Sequence, residues 1–381
     1  MQDLCRPTFD DLATRLGFSC DEAGGPFELR SPLALENWTL PVLEATIVLG
    51  AVLTLVYAIV RLRRTGDPTN LVVWLGTLAF LFIIEPLLYF PDAFGVEEHL
   101  DTMFAHNVFT VEFLWGRLPL YIVAIYPVMA TIAFEIVRML GVFRQYGTLV
   151  GAVCVGFVHH AFYEIFDHLG PQLRWWEWSL DNPVNQPFFD SVPLPSVVVF
   201  AALWPMSLAF CAQFFVGRYA DAGRTFGGLE LAWRTVVVGL LASVGVVLLP
   251  APATVIGMNS TTVRATIYTA ELVILSIVAV YVLARQWRRL RESGTPGYSN
   301  DLVRWYASAY LAVMAVLWGF ALPDWFAATD GITGNGDPIG SLWYTIACFV
   351  VAIACVAATF TIPRGESTGT EETAAKSLAD A

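Results

Sequence analysis

Nine apolar runs constrain what this chain can become. They fall at about 40–60, 70–90, 118–137, 147–167, 194–216, 232–249, 264–284, 305–322 and 341–362. Each has roughly the 20 residues that a helix needs to cross about 30 Å of hydrocarbon. Inside a bilayer the backbone must satisfy its own hydrogen bonds, so runs of this length close as helices. The chain is 56% hydrophobic and only 14% charged, where a soluble domain carries about 25% charge. These features predict an all-α polytopic membrane protein of the cell membrane with about nine transmembrane helices. They exclude a disordered chain, a secreted disulfide scaffold and an ordinary soluble enzyme.

Residues 1–39 are polar and lack a basic stretch followed by an apolar one, so they do not read as a cleaved signal peptide. The membrane domain is expected over 40–362. The tail 363–381, rich in Ser, Thr, Glu and Ala, is expected to be disordered. No internal repeat is visible, and nine spans do not divide into two matched halves, which argues against an inverted-repeat transporter. Alternate connections hold most of the arginine, including Arg61, Arg63 and Arg64, then Arg285, Arg288, Arg289 and Arg291. By the positive-inside rule those connections are cytoplasmic, which predicts the N-terminus outside and the C-terminus inside. The net charge of −12 argues against a nucleic-acid partner. The Arg-rich, Lys-poor usage resembles that of a GC-rich bacterium, so Asn37-Trp38-Thr39 and Asn259-Ser260-Thr261 receive no weight as glycosylation sites.

The only lysine is Lys376, which excludes Schiff-base chemistry within the spans. Cys154, Cys211, Cys348 and Cys355 lie in apolar runs and read as inert core thiols. Cys5 and Cys20 could pair as a disulfide if their segment faces an oxidising compartment. There is no Cys-x-x-Cys and no zinc-type spacing, and no nucleotide loop or nucleophile motif. No metal is therefore assigned and no cofactor is expected, with metal binding by the stripe of His160, Glu164 and Asp167 left open.

Chemistry is expected where ionisable groups fall inside spans, because such groups are costly there. Glu44, Glu85, Glu135, Glu164 and Glu271 qualify. Glu135, three residues before Arg138, reads as a snorkelling interfacial pair, and Glu271 as an interhelical hydrogen-bonding group. The densest polar run is His159-His160-Ala161-Phe162-Tyr163-Glu164-Ile165-Phe166-Asp167-His168. Residues on a helix advance about 100° each, so His160, Tyr163, Glu164 and Asp167 share one face. That stripe admits three readings: metal ligands, an acid–base site, or a structural network that fixes packing. The following connection is aromatic, with Trp175, Trp176 and Trp178 before several prolines. It reads as an interfacial belt or as a lid over a cavity for an apolar substrate. Pro86, directly after Glu85, removes a backbone donor and is expected to kink the second span beside the same cavity.

The run Ile84-Glu85-Pro86-Leu87, an outer loop, then Gly116-Arg117-Leu118-Pro119-Leu120-Tyr121 leading into Tyr126, resembles the AveC-like family of membrane spiroketal cyclases. The Tyr163-Glu164 stripe and the Trp-rich loop fit the same layout over roughly residues 40–220. The Trp-Glu-Trp…Pro-Phe-Phe…Val-Pro pattern is also similar to membrane carotenoid hydratases. Both resemblances imply addition or removal of water on a lipophilic, polyketide- or isoprenoid-like molecule without a redox cofactor. On this reading Glu164 and Glu85 act as proton donor and acceptor, and His160 and Asp167 tune them. Tyr163, Trp175, Trp176, Trp178 and Glu44 contact the substrate. The partners expected are a lipophilic small molecule and the lipid bilayer, with the oligomeric state open. The competing readings are a carrier of a lipid-like molecule and a structural subunit of a membrane assembly.

Overall fold

The computed structural model describes residues 5–20, 24–294 and 298–362. The expected disorder of 363–381 lies outside the described residues. A short helix, α1 (Pro7–Leu16), precedes nine long apolar ones: α2 (Thr39–Thr65), α3 (Thr69–Tyr89), α4 (Leu120–Met139), α5 (Val142–Asp167), α6 (Ser196–Asp221), α7 (Gly228–Ile256), α8 (Thr261–Ser293), α9 (Asp301–Ala327) and α10 (Leu342–Phe360). Among the described residues, nine helices are therefore long and apolar enough to cross a membrane. The chain is an all-α polytopic membrane protein.

The helix ends follow local chemistry. Gly147 takes φ 81° inside α5, a left-handed conformation that a side chain would strain. The apolar span therefore begins at 147, after a separate first turn. α8 runs past its apolar stretch to Ser293, because Gln286–Ser293 are mostly good helix formers, and it stops where Gly294 turns left-handed. α6 is wound as a π-helix over Ser196–Leu203 and Gln213–Gly217, a geometry often found beside functional sites.

α4 and α5 form the centre of the bundle. Their most apolar windows are 83% and 78% buried, against 28% for α8. The peripheral helices leave Leu240, Val247, Ile274 and Ile277 exposed, as lipid-facing surfaces require. Close helix contacts rely on small residues. At Gly239 of α7, an added Cβ would sit 2.4 Å from Ala79 Cβ and 3.0 Å from the Gly76 carbonyl of α3.

The arginine-rich end is held by a buried polar network. Glu135 is fully buried, not snorkelling. Arg138 lies 3.8 Å away, but the closer partners are Tyr298 Oη at 2.5 Å and Asn300 Nδ2 at 2.6 Å, both donating to Glu135 Oε2. Arg138 turns to Asp67, and to Asn70 at 2.9 Å. The α8–α9 connection is thereby tied to α4, and α4 to the α2–α3 connection. Charge-assisted bonds from a distant loop replace the exit to water that a single helix would need.

Among the described residues, the opposite end carries seven strands of two or three residues. β1 (Phe27–Leu29), β3 (Val111–Phe113) and β4 (Leu118–Pro119) form one antiparallel sheet. β2 (Phe104–His106) pairs with β5 (Trp176–Trp178), and β6 (Phe188–Phe189) with β7 (Val192–Pro193). Residues 5–20 are a folded cap on this end. Cys5 and Cys20 form a disulfide, and Phe9, Leu12, Leu16 and Cys20 pack with Ala105 as a small second core.

Candidate functional site

The pairing of β2 with β5 builds one wall of a chamber. Side chains alternate across a strand pair, and the register sets Phe104 opposite Trp178 and His106 opposite Trp176. Those four side chains line the chamber. The alternate pair, Ala105 and Glu177, serves the cap. Ala105 joins the α1 core, and Glu177 accepts from Arg15 at 2.9 Å. Trp176 and Trp178 of the aromatic loop therefore line the chamber wall. Trp175 does not line the chamber. It stacks on Phe166 at 5.6 Å and donates to Thr39 Oγ1 at 2.9 Å, anchoring the loop to the start of α2.

The chamber's acidic groups come from different helices. Glu85 of α3 and Asp167 at the end of α5 both line it, with Tyr126 of α4, Tyr163 of α5 and Ser196 at the start of α6. Tyr126 Oη donates to Glu85 Oε1 at 2.5 Å. Ser196 Oγ donates to Asp167 Oδ2 at 3.1 Å. The second oxygen of each carboxyl, Glu85 Oε2 and Asp167 Oδ1, is buried without a hydrogen-bond partner from the protein, as are the indole N–H groups of Trp176 and Trp178. Buried polar atoms are nearly always satisfied, so these four give the chamber unmet polar capacity, as Glu164, His160 and His168 have on the other edge of α5.

His106, on the wall strand, stands between two phenols. Its Nδ1 is 3.0 Å from Tyr121 Oη and its Nε2 is 3.3 Å from Tyr89 Oη. Burial pushes its imidazolium down to about 3, so the ring is neutral, with one nitrogen donating and the other accepting. Tyr89, His106 and Tyr121 form a chain able to pass a proton by exchanging these roles. The chamber volume is about 50 Å³. That admits water, which needs roughly 10–15 Å³ on the same measure, and is well below the roughly 300 Å³ of a pocket enclosing a drug-sized molecule.

The structure divides the polar stripe of α5. Tyr163 and Asp167 face the chamber, whereas Glu164 and His160 face α10. Glu164 is fully buried, with His168 Nε2 3.3 Å from its Oε2. His168 Nδ1 accepts from the Ser341 backbone N–H at 3.2 Å, while His168 Nε2 and both Glu164 oxygens make no hydrogen bond among the described residues. His160 Nε2 lies 2.5 Å from Tyr344 Oη. Glu164 and Glu85, expected as a donor and acceptor pair, are therefore not brought to one cavity. Glu44 is not in it either: its two oxygens accept the Thr110 and Val111 backbone N–H groups at 3.0 and 3.2 Å, which fixes the start of β3. Glu271 is half-buried, and its Oε2 has no hydrogen-bond partner among the described residues, so the expected interhelical bond is not formed there. No group of three or more His, Cys, Asp or Glu that could hold a metal occurs among the described residues.

Compared with family models, curated proteins and solved structures, the chain has no match in any of the three. These comparisons neither support nor contradict the spiroketal-cyclase resemblance.

Proposed function

We propose that the protein is an acid–base enzyme that adds or removes water at the reactive end of a lipophilic molecule, with the chamber as its catalytic site. The observation that carries this reading is the pair of buried carboxyls, Glu85 and Asp167, that line a single water-sized chamber from separate spans, each with one oxygen unpartnered among the described residues. Water is the co-substrate or product of such a reaction, and the chamber has room for it. The aromatic wall of Phe104, Trp176 and Trp178 suits an apolar substrate.

In a cyclising dehydration, a protonated Asp167 gives its proton to a leaving hydroxyl, one C–O bond breaks and water departs. A second substrate hydroxyl forms the new C–O bond and yields its proton to Glu85. The Tyr126 hydrogen bond favours Glu85 as the carboxylate that accepts. Chamber water returns the proton from Glu85 to Asp167. No electron is exchanged, so no redox cofactor takes part. Addition of water with opening of the ring C–O bond runs the same steps in reverse. We further propose that the strand-bearing end, chamber included, faces outward, on the strength of the arginine distribution.

The test begins with the small molecule that co-purifies in mild detergent, followed by its conversion in membranes. Glu85→Gln and Asp167→Asn should each lower turnover by roughly 10²-fold, the scale of general acid–base catalysis. Glu164→Gln should stay within a few-fold of wild type. Full turnover by both chamber variants would overturn the proposal. A carrier is the second reading, favoured by the Tyr89–His106–Tyr121 chain as a proton path. It would show binding without conversion, and pH-dependent movement lost in the same variants.

A further inference from the structure

A second cavity lies at the opposite end of the bundle and is independent of the acid–base chamber. α8 and α10 both pack on α5 and hardly touch each other, so a wedge opens between them. The residues that could fill it are small: Ala284 on α8, with Ala354, Ala357 and Ala358 on α10. The cleft has a volume of about 460 Å³, within the range of roughly 300–1,000 Å³ typical of ligand sites. Its walls are almost wholly apolar, with Val280, Leu283 and Phe157 among them.

The mouth is of different character. Trp287 and Thr361 line that end, and Trp287 Nε1 donates to Thr361 Oγ1 at 2.8 Å. Arg291 stands over the Trp287 ring, 5.2 Å from its centroid. Positions 280, 284 and 287 line the cleft, and helical spacing continues that face through 288 and 291. Both arginines are exposed, one turn beyond the apolar walls. An apolar slot at hydrocarbon depth ending in a tryptophan and two guanidinium groups is complementary to one kind of molecule: an acyl chain joined to an anionic headgroup. The polar composition of residues 363–381 makes that segment a poor occupant of apolar walls.

We propose that the α8–α10 cleft binds one acyl chain of an anionic phospholipid from the arginine-side leaflet, with Arg288 and Arg291 pairing its phosphate. Native mass spectrometry of the full chain, released from nanodiscs of phosphatidylglycerol mixed with phosphatidylcholine, tests this. Wild-type protein should retain one phosphatidylglycerol in preference to phosphatidylcholine. Arg288→Gln with Arg291→Gln should reduce that preference about 30-fold, at roughly 5-fold for each arginine near a membrane surface. Ala354→Phe fills the cleft and should abolish retention of either lipid. Equal retention of the two lipids by wild-type protein would overturn the proposal. So would undiminished preference in Ala354→Phe, which would place the lipid on the arginines alone. A lipid-free dimer would overturn it as well, since a second copy would then cover the cleft. The arginine variants alter exposed side chains, so the proposal stays open to refutation even if Ala354→Phe does not fold.

Discussion

Tyr126 of α4 donates to Glu85 Oε1 of α3 at 2.5 Å, and both residues line the chamber. A charge-assisted bond of this length stabilises the carboxylate and fixes its rotamer. Tyr126→Phe removes the donor and leaves a buried carboxyl with less support. Unfolding in detergent should be easier by about 1–3 kcal/mol, and conversion of the co-purified compound should fall together with it. A melting temperature equal to wild type would show that the bond is not made in solution.

The network at the other end answers to a different experiment. Glu135 accepts from Tyr298 and Asn300, across the α8–α9 connection. Tyr298→Phe and Glu135→Gln should each destabilise by about 1–3 kcal/mol. The double variant should lose less than the sum, because both changes break the same bond. Additive losses would mean that the two residues act separately. Chamber chemistry should be unaffected by either change.

Asp67 links this network to pH. Burial pushes its carboxyl up, but Arg138 and Arg61 outweigh that and hold it well below the usual carboxylate range, helped by Thr69. The native state therefore binds fewer protons than the unfolded chain just below the ordinary Asp value of about 3.9. Stability is fully present above that value and falls as pH drops through the window beneath it. Asp67→Asn should be less stable at pH 7 and should lose less stability between pH 5 and pH 3 than wild type. Parallel melting curves for the two proteins over that range would count against the ion pair.

Much of the architecture was legible because length and apolarity act locally. Each of the nine runs must be a helix in hydrocarbon whatever its neighbours, and Gly147 marks a break that needs no tertiary information. The division of the α5 stripe was not legible. Periodicity places Tyr163 and Asp167 at one edge and Glu164 and His168 at the other. Which edge meets a cavity depends on α3, α4 and α10, which no local pattern positions. Glu44 misled for a related reason: a carboxylate entering a span can serve backbone N–H groups of a distant loop as well as a substrate. His106 had a partial signal, since all five histidines lie toward one end of the spans. Its role needs the β2–β5 register, which pairs strands some 70 residues apart.

The Cys5–Cys20 disulfide closes the cap over the chamber wall, through the α1 core and the Arg15–Glu177 pair. Its sequence separation of 15 corresponds to a stabilisation of about 3 kcal/mol if loop entropy dominates. Cys20→Ser, or reduction, should lower the melting temperature and expose residues 5–20 to protease first. Mass spectrometry of the unreduced N-terminal peptide checks the bond directly, and two free thiols would remove this link between cap and wall.

The proposed orientation can be tested with two exposed sites at opposite ends of the bundle. Asp181 follows the aromatic strand β5, and Ser293 ends α8; both are exposed. Ser179, in the same outer loop, is buried and would make a poor probe. The remaining free cysteines, Cys154, Cys211, Cys348 and Cys355, are buried and give little background. A membrane-impermeant thiol reagent applied to intact cells should label Asp181→Cys and leave Ser293→Cys unlabelled until the membrane is opened. The physical reason is the arginine content of the α8 end, which resists transfer across the membrane during insertion. The reverse pattern would place the chamber on the cytoplasmic side. It would also move the phospholipid cleft to the outer leaflet while leaving the internal geometry of both sites unchanged.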